Sequence, residues 1–172
     1  MKLSLSKLFL VGLPGSGKST LGKQLAEQLG LPFIDLDDAI EAEVDQPIRN
    51  IFAQQGEDYF RELERKILLH TIAQNDTFVM ATGGGAPCFF DNMQYMNQVG
   101  ITIFADTPIE VIVKRMQQEG VAVRPLLHEL DADNFADDYY QKFSYRLPYY
   151  RQAQVTVTPE DRLDYILSKL KN

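Results

Sequence analysis

The sequence predicts an α/β fold in which a parallel sheet is covered by helices on both faces. Two observations predict it. Short apolar runs alternate along the chain with longer segments of helical periodicity. The first of these runs passes through a glycine-rich turn straight into the first helical segment.

That first run is Lys7 to Val11, a buried strand by its composition, and Leu21, Leu25 and Leu29 recur at helical spacing after the turn. Met1 to Val11, with two lysines and an apolar stretch, superficially resembles a signal peptide. It leads directly into the turn, so it reads as the first strand. Gly30-Leu31-Pro32 ends the helix, and Phe33 to Asp37 reads as a second strand with acids at its carboxyl end. A brief helix over 38–44 follows, then a short one over 48–54, broken at Gly56. Glu57 to Gln74 is a long amphipathic helix with Phe60, Leu63, Ile67 and Leu68 on its apolar face. Strands at 77–81, 101–105 and 155–157 and helices at 89–98, 108–116, 134–145 and 159–170 complete the alternation. Residues 117–133 show no clean periodicity and include Gly120, Arg124 and Pro125, the length and character of a lid. The strands number five, and residues 1–172 read as a single domain.

The chain is 45% hydrophobic and 24% charged, enough for one compact core. Its formal net charge of -7 opposes general affinity for nucleic acid or an anionic membrane, whose binding rests on clustered Lys and Arg. A few arginines in a cleft still suffice for a small anion. No apolar stretch approaches the roughly 18 residues of a membrane span. The one cysteine, Cys88, excludes an internal disulfide and fits a reducing compartment, so a cytoplasmic location is expected.

Gly12 to Thr20 has the form G-x-x-x-x-G-K-[ST], with Gly12, Gly17, Lys18 and Ser19 at the fixed positions. Its glycines let backbone N–H groups of Gly15, Ser16 and Gly17 curl around a phosphate chain, and the following helix N-terminus adds partial positive charge. Lys18 reaches the β- and γ-phosphates and Ser19 offers a hydroxyl to Mg²⁺. The alternative, a turn with no ligand, is opposed by the complete motif and its strand–helix context. The motif reads as a nucleotide-binding loop; the absence of an N-K-x-D sequence speaks against a GTPase.

The other candidates are less decided by themselves. Asp35 and Asp37, two apart, share one side of a strand, where one serves Mg²⁺ through water and the other a substrate hydroxyl. Alternatively one acid, Asp37 or Asp38, is the N-cap of the next helix. Arg61 has Glu57 four residues before it and Glu64 three after, an ordinary helix ion pair when taken alone. Gly83-Gly84-Gly85 is either an unobstructed ligand approach or a flexible turn. Arg124 is a lid arginine or a surface side chain, and Arg115 and Arg146 stand at helix ends where they also complement the dipole. His70 and His128 lack partners for metal or nucleophile chemistry, Cys88 lacks an activating neighbour, and the aromatic residues of 134–150 read as core.

Together these pieces resemble shikimate kinase. The resemblance runs through GLPGSGKST at 12–20, FIDLDDAIE at 33–41, IFAQQGEDYFRELE at 51–64, GGGAP at 83–87, VRPLL at 123–127 and YRLPYYRQA at 145–153. It implies a P-loop, three-layer α/β/α domain with a five-stranded parallel sheet, a substrate-binding region at about 33–64 and a lid at about 117–133. It implies transfer of the γ-phosphate of ATP to the 3-hydroxyl of shikimate, with Mg²⁺, in aromatic amino acid biosynthesis. By resemblance Asp37 binds the hydroxyl and is the candidate base. Arg61 and Arg146 hold the substrate carboxylate, Glu64 orients Arg61, and Gly83, Gly84 and Gly85 line the pocket. Ser19 and Asp35 hold Mg²⁺. Lys18 and Arg124 neutralise phosphate charge; Gly15, Ser16, Gly17, Thr20 and Arg115 complete the ATP site, Arg115 stacking on adenine. The expected partners are ATP and shikimate alone, with no nucleic acid or membrane and a monomeric state. The competing readings are another small-metabolite kinase such as a gluconate kinase, and a nucleotide-gated module without phosphate transfer.

Overall fold

The computed structural model of the protein describes residues 7–119 and 134–171. Five strands, β1 (Lys7–Val11), β2 (Phe33–Asp35), β3 (Phe78–Ala81), β4 (Ile101–Ala105) and β5 (Val155–Val157), form one sheet in the order β2-β3-β1-β4-β5. Every neighbouring pair is parallel. The helices are α1 (Lys18–Leu29), α2 (Leu36–Val44), α3 (Ile48–Gln74), α4 (Asn92–Val99), α5 (Ile109–Glu119), α6 (Phe135–Phe143), α7 (Leu147–Tyr150) and α8 (Arg162–Leu170).

The strand β1 sits at the centre and its side chains divide the core by alternation. Leu8 and Leu10 enter one apolar cluster with Leu21 and Leu25 of α1 and Ile166 and Leu170 of α8. Phe9 and Val11 enter the other, with Leu36, Phe60, Leu68, Ile112 and Tyr139 from the opposite layer. A strand buried on both faces needs a continuous apolar run, which Leu8 to Val11 supplies. Fully burying each such side chain contributes roughly 1.5–3 kcal/mol.

The strand order reverses around β1, and in parallel sheets that reversal opens a crevice at the carboxyl ends. The phosphate-loop motif, the Asp35–Asp37 acids and the three glycines stand at the carboxyl ends of β1, β2 and β3, so the topology gathers all three at one edge. The structure alters several expectations on the way. β2 ends at Asp35 rather than Asp37, because Leu36, fully buried, already lies in α2. The helix break at Gly56 stands as expected, its φ of 83° and ψ of 174° leaving the helical region. Residues Ala86–Cys88 form a short 3-10 turn, which delays α4 to Asn92. Among the aromatic residues of 134–150, Phe135, Tyr139, Phe143 and Tyr150 are core, but Tyr140, Tyr145 and Tyr149 are exposed. Gln117 to Glu119 extend α5; residues 120–133, with Arg124 and most of the expected lid, lie outside the described residues.

Candidate active site

The loop between β1 and α1 is held by its own backbone and by its lysine. The Ser16 amide donates to the Leu13 carbonyl at 3.1 Å. Lys18 Nζ donates to the carbonyls of Gly12 at 2.9 Å and Leu13 at 3.0 Å, bridging the start of the loop. Gly17, at φ 88° and ψ 21°, is the left-handed residue before α1, a conformation that disfavours a Cβ.

Asp35 connects this loop to the next. Its Oδ2 accepts from Ser19 Oγ at 2.8 Å, and its Oδ1 accepts the amides of Asp37 at 3.0 Å and Asp38 at 3.3 Å. Asp35 is therefore the N-cap of α2, a role expected of Asp37 or Asp38. The shared-face argument for Asp35 and Asp37 also gives way: Asp37 stands in the first turn of α2, not on the strand. With its cap role taken by Asp35, Asp37 is left to face a cavity of about 670 Å³.

That cavity brings together Gly15, Gly17, Lys18, Ser19, Thr20, Asp35, Asp37, Arg61, Glu64, Gly83, Gly84, Gly85 and Arg146. The glycines pack against three of these side chains one by one. A Cβ on Gly83 would lie 2.8 Å from Asp37 Oδ1, one on Gly84 3.3 Å from Arg146 Nη1, and one on Gly85 2.4 Å from Arg61 Nη2. The turn is glycine because the Asp37 carboxylate at Gly83, the Pro14 ring 2.9 Å from the Cβ position of Gly84 and the Arg61 guanidinium at Gly85 already occupy the space a side chain needs. Tyr150 Oη holds it from behind by donating to the Gly84 carbonyl.

Arg61, 7% exposed, donates from Nη1 to Glu64 Oε1 at 2.9 Å and from Nε and Nη2 to Glu57 Oε1 at 3.2 Å. The Phe89 ring covers the guanidinium, its centroid 4.2 Å from Cζ. Arg146 is equally buried, yet its Nε donates only to the Tyr145 hydroxyl, at 3.1 Å. Among the described residues no carboxylate pairs with Arg146. Glu64 acts on it only through space, so Arg146 is a buried cation at the cavity wall with no ion-pair partner of its own, a charge that an anion in the cavity would stabilise.

Burial pushes the Asp37 carboxyl from 3.8 up to about 6, helped by the neighbouring Asp35 charge and opposed by Lys18. Asp37 is half-buried, with one side open to the cavity. Burial likewise pushes Glu64 upward, with the Arg61 guanidinium pulling against it. The Cys88 thiol, half-buried, is pushed up to about 11 and stays protonated at neutral pH, which leaves it inert. His70 is exposed and outside the cavity; His128 is outside the described residues.

Two expected ATP contacts are not part of the cavity lining. Ser16 is fully buried and does not line the cavity; its amide is bonded to the Leu13 carbonyl and its own carbonyl accepts from Thr107 and Arg162. Arg115 does not line the cavity; its Nη1 lies 3.6 Å from the Cβ position of Gly17, on the outer side of the loop. Phe52, Lys142 and Tyr145 also line the cavity, and Arg162 reaches the loop from α8. Phe52 and Tyr145 flank motif positions; nothing in the spacing marks Lys142 or Arg162.

Comparison with known proteins settles the family. The family model described as shikimate kinase matches residues 14–171. The chain belongs to the shikimate kinase family. A shikimate kinase of Bacteroides fragilis is 45% identical over 147 residues, 86% of this chain and 81% of that protein. The crystal structure of shikimate kinase from Bacteroides thetaiotaomicron has a TM-score of 0.85 and 38% identity, covering 96% of each chain. Shikimate kinase from Acinetobacter baumannii, solved in complex with shikimate, has a TM-score of 0.83 and 33% identity, covering 98% of this chain and 92% of that one. As a shikimate kinase by family, the chain is an ATP-binding phosphotransferase of the shikimate pathway.

Proposed function

We propose that this enzyme transfers the γ-phosphate of ATP to the 3-hydroxyl of shikimate, with the substrate carboxylate received by Arg61 and Arg146. The observation that supports these roles is the Gly83–Gly85 turn, against which Asp37, Arg146 and Arg61 each pack at a separate glycine. In this reading Asp37, Arg61 and Arg146, which line one cavity, are the proton acceptor and the two cations of the acceptor site. A planar guanidinium suits a carboxylate better than an ammonium does, because its fork can donate two parallel bonds. Four acidic and four basic side chains line the cavity, so it is locally balanced despite the net charge of -7.

In this reading residues 33–64 are the substrate-binding region and the acceptor hydroxyl lies at Asp37, in line with the γ-phosphate. Its oxygen forms the new bond to phosphorus, the bond to the bridging oxygen breaks, and ADP leaves. Asp37 receives the hydroxyl proton. Lys18 and Arg124 neutralise charge on the moving phosphoryl group, and Gly15, Gly17 and Thr20 hold the phosphates. The hydroxyl of Ser19 and the carboxylate of Asp35 are hard oxygen donors already 2.8 Å apart, a pair that fits Mg²⁺. Bound there, Mg²⁺ would neutralise phosphate charge. Arg115 serves the adenine side from outside the loop. A monomer in the cytoplasm without nucleic-acid or membrane partners completes the proposal. No helix among the described residues is long and apolar enough to cross a membrane.

The test is ADP release from ATP and Mg²⁺ with shikimate, quinate or gluconate added separately. Stimulation by shikimate is expected. Stimulation by gluconate alone would overturn the acceptor assignment, and nucleotide binding without any stimulation would favour a binding module.

A further inference from the structure

Arg162, at the start of α8, is far in sequence from the phosphate loop but bonded to it. Its Nη2 donates to the Ser16 carbonyl at 3.2 Å and to Thr107 Oγ1 at 2.8 Å. Thr107, 3% exposed, donates from the same Oγ1 to the same carbonyl at 2.9 Å. The Ser16 carbonyl thus accepts two bonds, from the segment after β4 and from the C-terminal helix. The Arg162 Nη1 lies 2.9 Å from the Cβ position of Gly17.

We infer that Arg162 is a positioning residue for nucleotide phosphate, acting through the Ser16–Gly17 peptide. In a planar trans peptide the carbonyl and the following N–H point in opposite directions. No described peptide bond is cis. Two donors holding the Ser16 oxygen on the outer side therefore fix the Gly17 N–H toward the cavity that Gly17 lines. Without them this peptide is free to flip, because Gly17, at φ 88°, tolerates conformations that other residues do not. A loop whose amides are already aimed pays less ordering cost when the phosphates arrive. Burial, and next the like charge of Arg115, hold the Arg162 pKa below its ordinary value. The loop carbonyl and hydroxyl are the contacts that keep the guanidinium beside that charge.

The inference rests on the ATP reading above, and the experiment separates the two. ADP affinity by calorimetry and steady-state KM values for ATP and shikimate are measured for the wild type, Arg162→Gln, Thr107→Val and the double variant. A lost hydrogen bond to a charged donor corresponds to about tenfold in affinity. Arg162→Gln should raise the ADP Kd and the ATP KM by about that factor, with shikimate KM within about twofold. Arg162→Lys should restore only part of the loss, because one ammonium cannot reproduce the fork. The double variant should be worse than either single variant, since only it leaves the Ser16 carbonyl with neither donor. Unchanged ATP and ADP constants in a folded Arg162→Gln enzyme would overturn the inference. So would a parallel rise of both substrate KM values with a fall in Tm. If Arg162→Gln does not fold, Thr107→Val decides by the same ATP-against-shikimate split. A wild-type enzyme that fails to bind ADP would overturn the nucleotide reading itself.

Discussion

Arg61 and Glu64 stand three residues apart on one helix, both side chains buried, with Nη1 donating to Oε1 at 2.9 Å. The two partners respond differently to loss of the other. The Glu64 carboxyl, already pushed up by burial, can take a proton when Arg61 is removed. The guanidinium cannot lose one. Glu64→Ala leaves Arg61 with Glu57, whose side chain is 52% exposed and screened by water. Glu64→Ala should therefore lose more stability than Arg61→Ala, approaching the roughly 3–5 kcal/mol of a broken buried pair. Denaturant unfolding at neutral pH checks the order, and equal or reversed losses would refute this account. In kinetics, Arg61→Ala should raise the shikimate KM about 10- to 100-fold and leave the ATP KM within about twofold.

Gly85 and Gly56 are glycine for opposite reasons, and their alanine variants should separate accordingly. At Gly85 the backbone, φ -87° and ψ -19°, suits any residue, but a methyl would meet the Arg61 guanidinium at 2.4–2.6 Å. At Gly56 there is open space but φ is 83°. Gly85→Ala should displace the clamp and raise the shikimate KM at least about tenfold, on the same charged-hydrogen-bond scale. Gly56→Ala should cost about 1–3 kcal/mol of stability, because φ 83° with ψ 174° is a backbone region essentially reserved for glycine, with KM values unchanged. A normal shikimate KM in Gly85→Ala would show that the guanidinium yields freely.

Lys18→Met should abolish transfer and keep the fold. The loss of Nζ strips donors from the carbonyls of Gly12 and Leu13, a cost of about 1–3 kcal/mol. Domains of this size carry about 5–15 kcal/mol, so the variant should melt lower but cooperatively. Normal turnover in that variant would remove Lys18 from the mechanism.

Local patterns made much of this site legible. Gly12, Gly17, Lys18 and Ser19 follow one another in the chain, so a strand–loop–helix reading places them together without tertiary information. The strand count and parallel order follow from alternation, since a strand buried on both faces must be apolar throughout. The acids were harder. Whether Asp35 or Asp37 caps α2 turns on where β2 stops, a choice of two residues fixed by the burial of Leu36. Arg61 looked like a surface pair because helical spacing records Glu57 and Glu64 but not Phe89 or Gly85, which arrive from another loop. Arg162 was illegible for the same reason: its partners Ser16 and Thr107 are 146 and 55 residues away.

Asp37 supplies a prediction in which stability and activity move oppositely. Its carboxyl rises from 3.8 to about 6 on folding, chiefly through burial and next through Asp35. The folded protein therefore holds a proton over the interval from 3.8 to about 6 in which the unfolded chain has released it. The unfolded state binds fewer protons there, so this group's contribution to stability falls as pH rises through the window and stays lost above it. The penalty at neutral pH is on the order of 1–3 kcal/mol, the lower part reflecting the open side of the cavity. Asp37→Asn should remove it, making the variant more stable than wild type at pH 7.5, with the difference shrinking toward pH 4. A proton acceptor must be ionised, so kcat/KM for shikimate should climb with pH through about 6 and level off above it. In Asp37→Asn that limb should vanish while kcat falls about 10²–10⁴-fold. If Asp37→Asn were as active as wild type, or less stable at pH 7.5, burial of an uncompensated charge at this position would not be what the enzyme maintains for catalysis.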